Sequence, residues 1–351
     1  MRRLETVTDP DLDADIVQLG LVNAVECAGT AVRVSLALGA PYAPHETAIG
    51  RAVRAALADV ADTVELQARL PPAVRDPEVL PEVRNIICVA SGKGGVGKST
   101  VAVNVAAGLA ALGAEVGLFD ADIYGPNVPR MVDAGTAPEA TPDQRIIPPE
   151  QFGMKLMSMA FLVGEDDPVI WRGPMVHQLL TQFIDDVEWG ALDYLVLDLP
   201  PGTGDTQLTV LQSLPVTGAV VVTTPQAVAL DDATKGLRMF ARHETPVLVI
   251  VENMSGFTCP DCGATHQIFD ADGGRALAGH HELPYLGAIP LDPAVRAGGD
   301  TGAPAVLEDG EAGTAMKLVT ENVANMVGVL HRRAVRRTRG RSTADAGASD
   351  D

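Results

Sequence analysis

Ten consecutive residues, Ser91-Gly92-Lys93-Gly94-Gly95-Val96-Gly97-Lys98-Ser99-Thr100, have the types and spacing of a phosphate cradle. They satisfy the pattern G-x-x-x-x-G-K-S/T and follow an apolar run, Ile86-Ile87-Cys88-Val89-Ala90. Strand, glycine loop and helix are therefore predicted in the order that phosphate binding needs. Glycines at Gly92, Gly94, Gly95 and Gly97 let backbone N–H groups turn inward onto phosphate oxygens, while a helix opening at Lys98 aims its positive end at the same anion. Lys98 is expected to reach the β and γ phosphates of ATP, and the Ser99 hydroxyl to hold Mg²⁺. Val96 and Thr100 complete the stretch expected to contact the nucleotide.

Carboxylates supply the rest of a hydrolytic site. Asp120-Ala121-Asp122 closes a second apolar run, Glu115 to Phe119, so both acids fall at a strand end on a turn. Asp122 is the candidate for orienting an attacking water, and Asp120 for Mg²⁺ or for loop support. Tyr194-Leu195-Val196-Leu197-Asp198 is four apolar residues and an acid, which suits Asp198 to bind Mg²⁺ through water. The segment from Leu199 to Asp205 is too rich in glycine to continue a strand and suits a loop that senses the γ-phosphate.

Of four cysteines, Cys27 and Cys88 lie inside predicted strands and are expected to be buried, inert thiols. Cys259-Pro260-Asp261-Cys262 differs, because C-x-x-C presents two thiolates to one metal or cluster. One such pair is half of a four-ligand site, and the sequence has no second close pair. His266 or the His280-His281 pair could complete zinc within one chain, and spacing alone does not separate the soft metals.

The elements that must position these groups read as an α/β architecture. Runs of parallel-strand type at 86–90, 115–119, 194–197, 218–223, 247–251 and 285–289 alternate with helical or loop segments. They predict a doubly wound, mostly parallel sheet with ligands at the carboxyl ends of its strands. Residues 133–152, rich in proline and acid, read as an excursion or flexible loop. Ahead of this lies a small α+β module over 1–70, with a short helix from Asp11 to Gln18, strands at 21–27 and 31–38, a helix from Thr47 to Ala58 and a strand from Thr63 to Leu70. A proline-punctuated linker over 71–84 joins the two. Helical spacing from Thr314 to Leu330 closes the ATPase domain at 331, and an arginine-rich stretch with a small, acidic end, 332–351, reads as a disordered tail.

Composition bounds the rest. A chain of 351 residues, 46% of them hydrophobic, can build two or three cores. The formal charge of −20 argues against general nucleic-acid binding, and an acidic surface with only five lysines suggests a salty cytoplasm. No run is long and apolar enough to span a membrane and no leader pattern opens the chain, so a cytoplasmic protein is expected. The arginine-rich end lacks the bulky apolar residues of a membrane anchor.

The second lysine of the loop, Lys93, makes the segment similar to the deviant loop of the MinD/ParA/nitrogenase-iron-protein ATPases. That resemblance implies a lysine that crosses a dimer interface to the other subunit's nucleotide. Asp120-Ala121-Asp122-Ile123-Tyr124-Gly125-Pro126, Trp171-Arg172-Gly173-Pro174-Met175, Asp198 to Asp205 and Glu252-Asn253-Met254-Ser255 narrow it further. Over roughly residues 84–330 they resemble the Mrp/ApbC family of iron–sulfur cluster carrier ATPases. The resemblance implies a homodimer whose four pooled thiolates hold a bridging 4Fe–4S cluster for transfer to apo iron–sulfur proteins. It gives Asn253 an adenine contact, where the bare sequence allows a strand-end turn residue, and it offers Trp171 and Arg172 a dimer or client surface, where a buried tryptophan beside a surface arginine accounts for them equally well. The first module, through Asp9-Pro10-Asp11-Leu12 and Asp15 to Val22, looks like a small metal–sulfur cluster assembly domain. Ala43-Pro44 stands where many members carry Cys-Pro, so docking or scaffolding is its expected role. A ParA/MinD-like partition switch shares the loop but does not need the cysteine pair, and an electron-donating reductase would need more cluster cysteines.

Overall fold

The computed structural model describes residues 1–9, 14–37, 44–69, 79–123, 125–135, 137–161 and 173–346. The chain divides into two compact units, Met1–Val74 with Glu321–Asp351, and Arg75–Thr320.

In the first unit, β1 (Val22–Ala28) runs antiparallel to β2 (Ala31–Ala37), which pairs in parallel with β3 (Thr63–Arg69). Val32, Val34 and Leu36 of β2 are buried, the period-two pattern of a half-buried strand. Against them lies α1 (Pro44–Leu57), whose Ile49, Val53 and Leu57 recur every four residues on one buried face. The helix expected from Asp11 to Gln18 is not formed in the described part of that stretch. Ala14–Asp15 instead pairs with Thr8–Asp9, and the Asp15 carboxylate accepts the amides of Val17 and Gln18, which favours a turn over a helix. Cys27 is exposed rather than buried, because β1 is an edge strand whose last residues face solvent. The loop at Ala43 and most of the expected linker, 71–78, lie outside the described residues.

The second unit carries an eight-stranded sheet. Its chain order is β4 (Ile86–Ser91), α2 (Lys98–Ala111), β5 (Val116–Asp120), β6 (Met154–Ser158), α3 (Gly173–Asp186), β7 (Tyr194–Asp198), α4 (Asp205–Ser213), β8 (Gly218–Thr223), α5 (Ala227–Arg242), β9 (Val247–Asn253), α6 (Gly273–His280), β10 (Tyr285–Ile289) and α7 (Pro293–Thr301). Spatially the order is edge strand Glu150–Gln151, then β6, β5, β7, β4, β8, β9 and β10. Only the edge strand is antiparallel. Every residue of β4, β5, β7 and β8 is buried, as strands covered on both faces require. The core includes Phe119 and Phe183 packed edge to face at 5.3 Å. Within 133–152, where a flexible excursion is expected, Glu139–Ala140 and Ile146–Ile147 pair as a hairpin that leads into the sheet edge.

The last helix, α8 (Glu311–Ala346), runs through the stretch expected to be a disordered tail. Within the first unit its Arg332 is 1% exposed, and its Nε lies 2.6 Å from Oδ2 of the fully buried Asp9. An arginine with a buried carboxylate partner belongs to a core, so this part of the basic run is structural. Arg332→Ala, which removes the ion-pair partner at Oδ2 of the buried Asp9, is expected to destabilise the first unit by about 3–5 kcal/mol, read as early proteolysis within residues 1–70 and a lowered unfolding midpoint.

Candidate nucleotide site and thiol hairpin

Parallel strands that end at one level bring the candidate groups together. β7 lies between β4 and β5, and the register pairs Asp198 with both Val89 and Asp120. The loop after β4 passes so close to α5 that a Cβ on Gly92 would sit 2.1 Å from the Asp232 carbonyl carbon. Only glycine fits there. The loop then turns through Gly95 and Gly97 at φ of +80° and +81° before α2 begins. A Ser91 hydroxyl bond to the Lys93 carbonyl, 2.9 Å, ties the loop's entry, and Lys93 itself is half-buried.

Lys98 is buried, with Nζ 2.5 Å from Asp198 Oδ1 and 3.2 Å from Ser99 Oγ. Burial pushes the Asp198 carboxyl up, Lys98 opposes it, and the nearby Asp122 carboxylate raises it further. Asp198 Oδ2 is buried with no hydrogen-bond partner among the described residues. An orphaned carboxylate oxygen, a second acid and a neighbouring hydroxyl form a donor set that fits a hard divalent cation.

Asp120 has another task. Its Oδ1 accepts the amide of Asp122 at 3.1 Å, and its Oδ2 accepts the Val128 amide at 3.2 Å and the Ser158 hydroxyl at 2.9 Å. The carboxylate braces the turn that carries Asp122, itself 9% exposed. Burial and the Asp198 charge push the Asp120 carboxyl up to about 7.

The loop after Asp198 is pinned beside the phosphate loop, with Gly202 N–H on the Ser91 carbonyl at 3.0 Å and Gln207 Nε2 on the Pro200 carbonyl at 2.5 Å. Gln207 and Ser158 are site-supporting residues that sequence reasoning missed. Ser158 lies on the β6 strand that was not expected and its partner Asp120 is 38 positions away, while Gln207 reaches back seven residues to a backbone carbonyl that no motif marks.

A cleft of about 370 Å³ opens beside the loop, lined in part by Gly97, Thr100, Asn127, Asn253, Met254 and Leu291. Asn253 ends β9 as its wall and donates to the Val96 carbonyl at 2.9 Å. A Cβ on Gly97 would stand 2.1 Å from Asn253 Nδ2, so glycine is needed for this approach as well as for its φ.

Cys259 and Cys262 sit on a turn between Phe257–Thr258 and Thr265–His266, which pair as antiparallel strands. The turn is closed by Cys259 N–H on the Ala264 carbonyl at 2.9 Å and Gly263 N–H on the Cys259 carbonyl at 2.8 Å. Backbone N–H groups of Cys262 and then Asp261, followed by the Cys262 side chain, hold the Cys259 thiol below its ordinary range. That favours the thiolate, the form that binds metal. Among the described residues no group of three His, Cys, Asp or Glu is placed to hold a metal, so His266, His280 and His281 do not complete a one-chain zinc site there. Cys88 is buried and its thiol is pushed up by desolvation, as an inert cysteine should be. Trp171 and Arg172 lie outside the described residues.

A family model described as "NUBPL iron-transfer P-loop NTPase" matches residues 82–327, and one described as "Iron-sulfur cluster assembly protein" matches residues 1–68. The chain belongs to the iron-transfer P-loop NTPase family. It is 46% identical over 334 residues to an iron–sulfur cluster carrier protein of Deinococcus radiodurans, covering 94% of this chain and 95% of that one. A nucleotide-binding protein of Archaeoglobus fulgidus, solved in complex with ADP, is 36% identical with a TM-score of 0.59 over 66% of this chain and 92% of its own. The cell division ATPase MinD of Pyrococcus furiosus, 22% identical with a TM-score of 0.52, covers 68% of this chain and 98% of its own and shares the fold. Membership of this family makes the phosphate loop that of an NTPase.

Because the Asp120 carboxyl is raised when folded, the folded state holds its proton more tightly than the unfolded chain. This contribution to stability is therefore present at low pH and declines as pH rises from about 4 to about 7. Asp120→Asn is expected to flatten that part of the stability–pH profile, whatever its constant offset, in urea midpoints taken at half-unit steps of pH.

Proposed function

We propose that this protein is an ATP-dependent carrier that holds an iron–sulfur cluster on Cys259 and Cys262 and passes it to apo iron–sulfur proteins. The observation that carries the reading is the thiol hairpin. Two cysteines share one turn, amides aimed at the Cys259 sulfur favour the thiolate, and no third ligand joins them among the described residues. Two copies related by a two-fold axis pool four thiolates, the set a bridging 4Fe–4S cargo needs.

ATP lies along the phosphate loop from Gly92 to Thr100, with its base in the cleft walled by Asn253. Lys98 leaves its contact with Asp198 to bind the β and γ phosphates, and the half-buried Lys93 reaches the partner subunit's nucleotide. Ser99 and Asp198 would hold Mg²⁺, which would supply positive charge against the phosphate oxygens. Asp122 orients the attacking water from the turn that Asp120 braces. Dimer closure and the pinned 199–205 loop then make the cluster bridge depend on phosphate state.

A cytoplasmic setting suits this role, and no helix among the described residues is long and apolar enough to cross a membrane. Likeness to MinD supports the fold alone, and a partition switch leaves the thiol hairpin without a purpose.

Anaerobic reconstitution with iron and sulfide tests the reading. The expected result is a visible absorbance carried by a species of twice the chain mass and lost in Cys259→Ala and Cys262→Ala, with release to an apo acceptor that responds to ATP and fails to respond in Lys98→Ala. Stoichiometric zinc in a monomer, or absorbance unchanged in both cysteine variants, would overturn it.

A further inference from the structure

Five residues, Glu252 to Gly256, join the nucleotide cleft to the thiol hairpin, and their bonding is unusually complete. Asn253 holds the Val96 carbonyl of the phosphate loop through Nδ2 and takes the Met254 amide on Oδ1 at 3.0 Å. Met254 lines the cleft with a backbone φ of +58°, a conformation that side chains other than glycine's disfavour. Ser255 N–H donates to the Ile289 carbonyl at 2.9 Å, and the Gly256 carbonyl accepts the amide of Leu291, another residue lining the cleft, at 2.8 Å. Beneath the turn Glu252 is wholly buried. One carboxylate oxygen accepts the Ser255 hydroxyl at 2.6 Å and the other accepts the Gly274 amide of α6 at 2.5 Å. Phe257, the next residue, opens the hairpin, and Cys259 follows two positions later.

We propose that Glu252 to Gly256 relays occupancy of the nucleotide cleft to the thiol hairpin, with the Ser255–Glu252 hydrogen bond as the positioning contact. The turn lines the cleft through Asn253 and Met254 and is bonded to a further lining residue, Leu291, so a ligand that moves Met254 or Leu291 moves the backbone on which the first hairpin strand is built. Ser255 and Glu252 make the turn a rigid body. Without their bond, a shift at the cleft is absorbed in the turn before it reaches Cys259. A left-handed residue at the pivot supplies a second arrangement, because φ at Met254 can relax to a negative value that an L-residue prefers. The inference rests on the nucleotide site of the proposed function, and it deepens that reading by naming the contact that couples its two halves.

The test uses the full chain without cluster and follows iodoacetamide labelling of each cysteine by peptide mass spectrometry, with and without MgADP. Exposed Cys27 serves as the internal control and buried Cys88 as the check on folding. In the wild type MgADP is expected to change the labelling rate of Cys259 and Cys262 about fivefold or more relative to Cys27, the scale of an ordinary coupling between sites. Ser255→Ala should bind MgADP with unchanged affinity yet shrink that change to less than about twofold, and Ser255→Thr should restore it. Glu252→Gln is a second route to the same loss. A response in Ser255→Ala and Glu252→Gln as large as in the wild type, or no response in the wild type, would overturn the relay. This readout needs no cluster, so its failure leaves the carrier reading standing, whereas a protein that never loads iron and sulfide sinks the carrier reading and leaves the relay intact.

Discussion

The contact between Lys98 and Asp198 is the constraint on which the site depends. A buried ammonium and a buried carboxylate each lose hydration, and they hold together only if the backbone delivers both to one point. The sheet does this through its order: β7 sits directly beside β4, in parallel and in register, so the acid at the end of one strand meets the lysine that opens the helix after the other. Any slip of register would leave two unpaired charges in the interior. On its other side β7 pairs with β5, which places Asp120 opposite Asp198, and the Asp198 charge together with burial raises the Asp120 carboxyl.

Charge is distributed to suit an anionic ligand on an acidic protein. With a formal charge of −20, the chain as a whole repels nucleotide, so attraction has to be local. Two of its five lysines lie in the phosphate loop, beside the positive end of α2 and a row of backbone N–H groups. Three acids gather at the same place, Asp120, Asp122 and Asp198, and that excess of negative charge around one buried lysine is what a divalent cation would offset.

Much of this was legible in the one-dimensional pattern, for a physical reason. Strands buried on both faces must be continuously apolar, so β4, β5, β7, β8 and most of β9 announce themselves, and a loop that needs glycine for space and for positive φ carries glycine at those points. Most of the misreadings trace to a tertiary partner invisible to local spacing, and one to a local side-chain bond that competes with a helix. Arg332 looks like a solvated basic residue until Asp9 is placed beside it, more than three hundred positions earlier. The Asp11–Gln18 stretch reads as a helix until Asp15 turns its carboxylate onto its own backbone. β6 is short and carries Lys155, whose charge disguises a strand, because its ammonium reaches the Trp189 carbonyl at 2.7 Å. Asn253 shows both sides of the matter. The family resemblance implies an adenine contact for it, but its hydrogen bond to the phosphate loop required the fold.

The form of the thiol site bears on what a carrier must do. A resident structural metal is enclosed by four ligands of one chain, which makes it hard to remove. Here each chain offers two thiols on a short hairpin, one of them exposed, held by backbone bonds and tied to the body of the domain at Ser255 and Gly256. A ligand shared equally between two chains is released by separating the chains, without unfolding either. Its retention then depends on dimer affinity, and dimer affinity is what a lysine reaching across to the partner's phosphates would regulate. On the reading proposed above, two thiols per chain, a phosphate loop with an extra lysine and a turn between them would serve one requirement, that cargo be held firmly while ATP is bound and yielded once it is spent.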